Sequence, residues 1–157
     1  MSFDPSRISA TKNGTIFFEV NLTAAFRAAR AVLPGMIERA SGSIVSVASN
    51  AAWSPDMHEV PYSTTKAALI GFTRALGVEV ASTGVRVNAI APGFVENPFL
   101  EKLYGADRMT ALRAGVPMGR GVLPAEVASA GAWLGSDEAS YVTGEVLTVA
   151  WGQYVRG

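Results

Sequence analysis

Tyr62 and Lys66 stand four residues apart in a stretch where Leu69, Phe72, Leu76 and Val80 recur at helical spacing. The two side chains therefore share one face at the start of a helix. An ammonium beside a phenol favours the phenolate, and a phenol so placed can exchange a proton with a bound substrate. A Tyr and a Lys at this spacing also arise through packing beside solvated charge, so the pair alone names no reaction. Ser49 adds a hydroxyl thirteen residues before Tyr62, just beyond the apolar run Ser43-Ile-Val-Ser-Val47. That run suits a buried strand, and a side chain after its carboxyl end can project into a crevice. His58, the only histidine, lies in the loop before Tyr62 and reads as an incidental loop residue or a substrate contact. A serine hydrolase fares badly, because no Gly-x-Ser-x-Gly surrounds Ser49 and only His58 is available as a base.

The elements that must hold these residues are legible from periodicity and breakers. Ile16, Phe17, Val20, Ala24 and Ala28 predict a helix over 15–39. Its alanines permit close approach of a neighbouring helix, although helix propensity alone also favours them. A strand over 43–47 follows, then a loop over 48–61, a helix over 62–82 stopped by Ser82-Thr83-Gly84, and a strand over 85–90. Pro92 and Gly93 break the chain before weaker helical stretches at 99–114 and 124–135, and 146–149 reads as a last strand. The order α-β-α-β-α-α-β implies an α/β fold with a parallel sheet and right-handed crossovers. Three strands make a narrow sheet, so the expectation is one incomplete domain over 1–157 with its N-terminal strands missing.

Several segments agree in order and spacing with one family: Glu19-Val-Asn-Leu-Thr23, Gly42-Ser-Ile-Val-Ser-Val-Ala-Ser49, Pro61-Tyr-Ser-Thr-Thr-Lys-Ala67, Gly84-Val-Arg-Val-Asn-Ala-Ile-Ala-Pro-Gly93 and Tyr141-Val-Thr-Gly144. In these the sequence resembles the short-chain dehydrogenase/reductase family from about Ser9 onward. The resemblance implies a partial Rossmann-type doubly wound parallel sheet in three α/β/α layers. It also implies an NAD(P)-dependent oxidoreductase moving a hydride between nicotinamide and an alcohol or carbonyl substrate.

The family's catalytic set falls on Asn21, Ser49, Tyr62 and Lys66. By resemblance Tyr62 is the general acid or base, and Ser49 bonds the substrate oxygen. Lys66 favours the Tyr62 phenolate and holds the nicotinamide ribose, while Asn21 holds a water linking Lys66 to solvent. Asn21 has a second reading, as a mediocre helix former that faces water or bends its helix. Cofactor contacts carry over to Tyr62, Lys66, Pro92, Gly93 and Val95, and to Asn97, which stands where the family often has Thr. Ala150-Trp151 replaces the Asp-Gly of many relatives.

The family's Thr-Gly-x-x-x-Gly-x-Gly turn does not precede Asn21, nor do the first strands and the acidic or basic residue that reads the adenosine ribose, so NAD and NADP are not distinguished. Gly115-Val-Pro-Met-Gly119-Arg-Gly121 copies the glycine spacing, but it follows a helical stretch and contains Pro117. Pro117 to Ala128 instead resembles the family segment leading into its late helix, with Pro124 near the helix start. The resemblance also implies a homo-oligomer formed through the helices that begin near Thr15 and Tyr62. The missing glycine-rich turn motivates a second reading: a non-catalytic truncated fragment or structural partner subunit unable to bind cofactor alone.

Composition limits the alternatives. Thirteen Lys and Arg balance thirteen Asp and Glu, so no long-range field steers the chain to nucleic acid or an anionic membrane. Without cysteine there are no disulfides, thiolate chemistry or the usual zinc frameworks. No apolar run approaches the roughly 18 residues of a spanning helix, and residues 1–14 are too polar for a signal peptide, so the expectation is a cytoplasmic, soluble chain. Trp53, Met57, Phe99, Leu100 and Leu103 suit a substrate pocket or a core equally.

Overall fold

The computed structural model describes residues 14–56 and 58–152; Met57 lies outside them. The chain runs through α1 (Gly14–Phe18), a π-helical turn (Glu19–Thr23), α2 (Ala24–Glu38), β1 (Gly42–Val47), α3 (Val60–Val80), β2 (Val85–Pro92), α4 (Pro98–Ala114), α5 (Pro124–Gly135) and β3 (Val146–Val149). The expected order of elements is observed, and the fold is α/β.

β2 is the centre of the sheet because its residues tolerate burial on both faces. Val87, Ala89 and Ala91 are wholly inaccessible, and so is Asn88 on the opposite face. β2 pairs in parallel with β1 from Gly42↔Val85 to Val47↔Ile90, and with β3 from Ala89↔Val146 to Pro92↔Val149. The strand runs two residues past the expected 85–90. Pro92 is tolerated as its last residue, where a missing N–H costs the ladder least.

α3 covers one face of β2. Leu69, Ile70, Thr73, Gly77 and Val80 are its buried stripe. Ile70 packs with Ala48, Ala89, Ala91 and Val146, while Val80 packs with Val85 and Val87. α5 lies on the other side, where Arg86 Nη1 reaches the Leu134 carbonyl at 2.7 Å. Gly77 permits the closest approach: a Cβ there would fall 2.8 Å from the Gly144 nitrogen.

Two local features depart from the sequence reading. The helix expected over 15–39 is interrupted by a π turn, with the Ala24 N–H bonded to the Glu19 carbonyl. The stretch 99–114 forms α4 but breaks at Gly105, whose φ of 73° and ψ of 169° are open only to glycine. Among the described residues no helix is long and apolar enough to cross a membrane.

Asn88 fastens the returning chain to β2. Its Nδ2 donates to the Val142 carbonyl at 2.8 Å and its Oδ1 accepts from the Glu145 N–H at 3.0 Å. Asn88→Ala leaves both groups unsatisfied beside a small void. Urea unfolding should show a loss of about 2–4 kcal/mol.

Candidate active site

The site begins where β1 stops. The Ala48 N–H still bonds the Ile90 carbonyl at 2.7 Å, so sheet pairing carries one residue past Val47 and holds Ser49 at the strand's carboxyl end. Ser49 is extended and 8% exposed, and its Oγ accepts from the Ala51 N–H at 3.2 Å. It thereby caps a 3-10 turn, Asn50–Ala52, within the stretch expected to be loop.

The first turns of α3 face this point. Pro61 occupies the opening turn, where its missing N–H is harmless. Lys66 Nζ donates to the Val47 carbonyl at 2.7 Å and lies 5.7 Å from the centre of the Tyr62 ring. Burial pushes the Lys66 ammonium below its ordinary value. The edge of Phe17 meets the Tyr62 ring with centroids 6.4 Å apart. Among the described residues the Tyr62 hydroxyl has no hydrogen-bond partner.

Asn21 sits in the π turn, a geometry that recurs at functional sites. Its Nδ2 donates at 3.0 Å to Thr65 Oγ1, which donates at 2.8 Å to the Tyr62 carbonyl. Thr65 is wholly buried between Tyr62 and Lys66 in sequence. Sequence reasoning assigned it nothing; a hydroxyl on the buried stripe of α3 is the signal that would have marked it. The structure thus brings Asn21, Tyr62 and Lys66 into one connected group beside the end of β1, two residues before Ser49.

The second wall follows β2. Pro92 ends the strand, and the Gly93 N–H bonds the Val149 carbonyl at 3.1 Å. Val95 bridges to Val122, and its own N–H has no partner among the described residues. The Asn97 side chain is committed locally: Oδ1 accepts from the Leu100 N–H at 3.0 Å and Nδ2 donates to the Val95 carbonyl at 3.3 Å. It is the N-cap of α4, which the Asn-Pro pair at 97 and 98 signals in sequence.

Of the remaining candidates, Trp53 packs against the Ala48 and Ile70 core, whereas Phe99 and Leu103 are exposed. His58 is exposed in the loop before α3. Trp151 takes a left-handed φ of 46° and stacks under the Arg120 guanidinium at 3.4 Å. No group of His, Asp or Glu among the described residues could hold a metal ion.

Set beside known proteins, residues 8–153 match a family model described as Enoyl-(Acyl carrier protein) reductase. The chain belongs to the short-chain dehydrogenase/reductase family. This is a family of oxidoreductases that use NAD(P). The 3-oxoacyl-[acyl-carrier-protein] reductase FabG of Vibrio cholerae is 45% identical over 137 residues, covering 87% of this chain and 56% of the relative. The enzyme of the same name from Thermotoga maritima is 43% identical over 130 residues, covering 83% and 52%.

Among solved structures of the family, a 3-oxoacyl-[acyl-carrier protein] reductase from Brucella melitensis superposes with a TM-score of 0.83 at 36% identity, covering 99% of this chain and 56% of its own. A Beutenbergia cavernae chain assigned as an NAD(P) dependent gluconate 5-dehydrogenase, with bound NADP at low occupancy, gives 0.81 at 38% identity, covering 85% and 54%. The chain spans about half the length of the relatives it matches.

The lowered Lys66 value carries a pH signature. Between the folded value and the ordinary 10.5, the unfolded chain binds the proton that the folded chain has lost, so stability rises with pH in that alkaline window. Lys66→Met should abolish this rise in denaturant midpoints measured across the window. An unchanged pH profile would contradict the burial of the ammonium.

Proposed function

We propose that this chain carries the proton-transfer machinery of an NAD(P)-dependent oxidoreductase that interconverts a carbonyl and an alcohol, with a 3-oxoacyl thioester as the substrate class. The observation that supports it best is the Tyr62 hydroxyl, unpartnered among the described residues, one helical turn from a half-buried ammonium anchored on the end of β1. The substrate class follows the two curated relatives, both 3-oxoacyl-[acyl-carrier-protein] reductases.

The residues present suit one end of a dinucleotide. Lys66 keeps two N–H donors beyond its bond to Val47, which suit ribose hydroxyls. The N–H of Val95, two residues after Gly93 and unpartnered among the described residues, suits a carboxamide oxygen. When bound, a nicotinamide supplies the hydride in reduction and takes it in oxidation. Tyr62 gives its proton to the substrate oxygen in the reductive direction and recovers it in the other. Lys66 stabilises the negative charge that this leaves on Tyr62, and Ser49 Oγ donates to the same substrate oxygen. Asn21, through Thr65, props the turn that carries Tyr62.

A second reading, a non-catalytic subunit that joins further polypeptide, is favoured by one observation. β1 is a sheet edge, ordered β1-β2-β3, whose outer side has no strand beside it among the described residues. In either reading the chain is a homo-oligomer or assembles with a relative through α2 and α3. An apolar groove between them is lined by Phe26, Leu33, Ile37, Phe72 and Leu76, and Phe26 and Phe72 meet edge to face at 6.2 Å.

Saturable NADPH binding in titration calorimetry supports the enzyme reading, and its absence supports the subunit. Where NADPH oxidation with a 3-oxoacyl thioester is measurable, Tyr62→Phe should lower kcat about 100-fold or more. Normal turnover in that variant would remove the proposed proton donor. Phe26→Glu should lower the mass measured by sedimentation, and an unchanged mass would argue against the α2–α3 surface.

A further inference from the structure

Glu96 sits between Val95 and Asn97 in the second wall, and its carboxylate lies between the two ends of the excursion that leaves β2 and returns before α5. Oε1 accepts from the Gly121 N–H at 2.8 Å and from Arg113 Nε at 2.9 Å, and Oε2 accepts from Arg113 Nη2 at 3.4 Å. Arg113 stands in the last turn of α4. The backbones join at the same place: the Glu96 N–H donates to the Val122 carbonyl and the Val122 N–H to the Phe94 carbonyl, each at 2.9 Å. Gly121 is needed for this approach, because a Cβ there would lie 2.6 Å from Glu96 Cγ and 2.8 Å from the Phe94 carbonyl oxygen.

Each side of the returning chain is held. Arg120 turns away from Glu96, pairs both nitrogens with Glu126 at 2.9 and 2.7 Å, and stacks on Trp151 beyond β3. Arg113 and the Gly121 N–H hold the Glu96 carboxyl below its ordinary value, with Arg120 adding a smaller attraction. The charge-assisted bonds to Arg113 are of the stronger kind.

The middle of the excursion is fastened far less. Its ion pair with the loop before α3, Arg108 to Asp56 at 3.7 Å, joins side chains that are 56% and 70% exposed. Such pairs contribute little. Midway along it, Gly105 breaks α4 with a conformation closed to other residues. Met109 after that break is buried, whereas Phe99 and Leu103 before it are 71% and 60% exposed.

We propose that Glu96 is a positioning residue: it clamps both roots of the Pro98–Ala114 excursion beside the candidate site and so sets where the excursion stands over it. The clamp is tight at both roots, and the part before Gly105 is tied back to it by a half-exposed ion pair from Arg113 to Glu101 at 3.5 Å. What lies beneath the excursion rests on the functional reading above. The clamp itself does not, and it is measurable without turnover.

The test is amide hydrogen exchange on the whole chain, comparing the wild type with Glu96→Ala and Glu96→Gln. Loss of the carboxylate in Glu96→Ala should speed exchange across 98–122 about tenfold or more while the amides of β1, β2 and β3 keep their protection. Glu96→Gln keeps an acceptor for the Gly121 N–H but loses the charge facing Arg113, so its exchange should fall between the two. Wild-type exchange across 98–122 in Glu96→Ala overturns the proposal. So does acceleration that spreads equally through β2 and β3 in Glu96→Gln, which would make Glu96 a general stabiliser. If Glu96→Ala fails to fold, Glu96→Gln decides alone: faster exchange confined to 98–122 supports the clamp, and wild-type exchange overturns it.

Discussion

Lys66 crosses from the second turn of α3 to the carbonyl of Val47, the last residue of β1, and this 2.7 Å bond sets the geometry of everything near the site. A half-buried ammonium is costly without a partner, and the carbonyl at the end of β1 is the acceptor that it takes. With that contact made, the rotation of α3 about its axis is no longer free. Tyr62, one turn earlier, must face the crevice at the strand end, and Thr65, one residue away, must face the π turn that carries Asn21. Had the helix docked a third of a turn differently, the same residues would be present and the site would not.

The docking of α3 depends in turn on the sheet beneath it. Small side chains along β2, and Gly77 against Gly144, let helix and sheet approach closely. Asn88 and Thr143 bind the returning chain to β2, with the Val87 N–H donating to Thr143 Oγ1 at 3.1 Å. These motif residues serve packing and hydrogen bonding, in contrast to the Tyr62 group. Because all three strands run in parallel, their carboxyl ends gather at one edge, where Gly93 and Ala150 follow their strands directly and Ser49 follows β1 after Ala48.

Trp151 follows the end of β3 with a left-handed φ of 46°, a conformation that favours glycine. The stack with Arg120, itself held by Glu126, is the contact that offsets the strain. It also carries the end of β3 to the segment that Glu96 grips from its other side.

The order of elements, the shared face of Tyr62 and Lys66, and the place of Ser49 after a strand were all legible in the sequence, because each depends on local periodicity or on a breaker beside it. The N-cap role of Asn97 was legible in principle from the proline that follows. Other features came only from tertiary structure. Asn21 finds Thr65 across 44 residues, Asn88 finds Val142 across 54, and Glu96 finds Gly121 across 25. A one-dimensional pattern says which side chains share a face of one element. Which faces meet is decided by sheet register and helix docking, and those are settled only when the whole core packs at once.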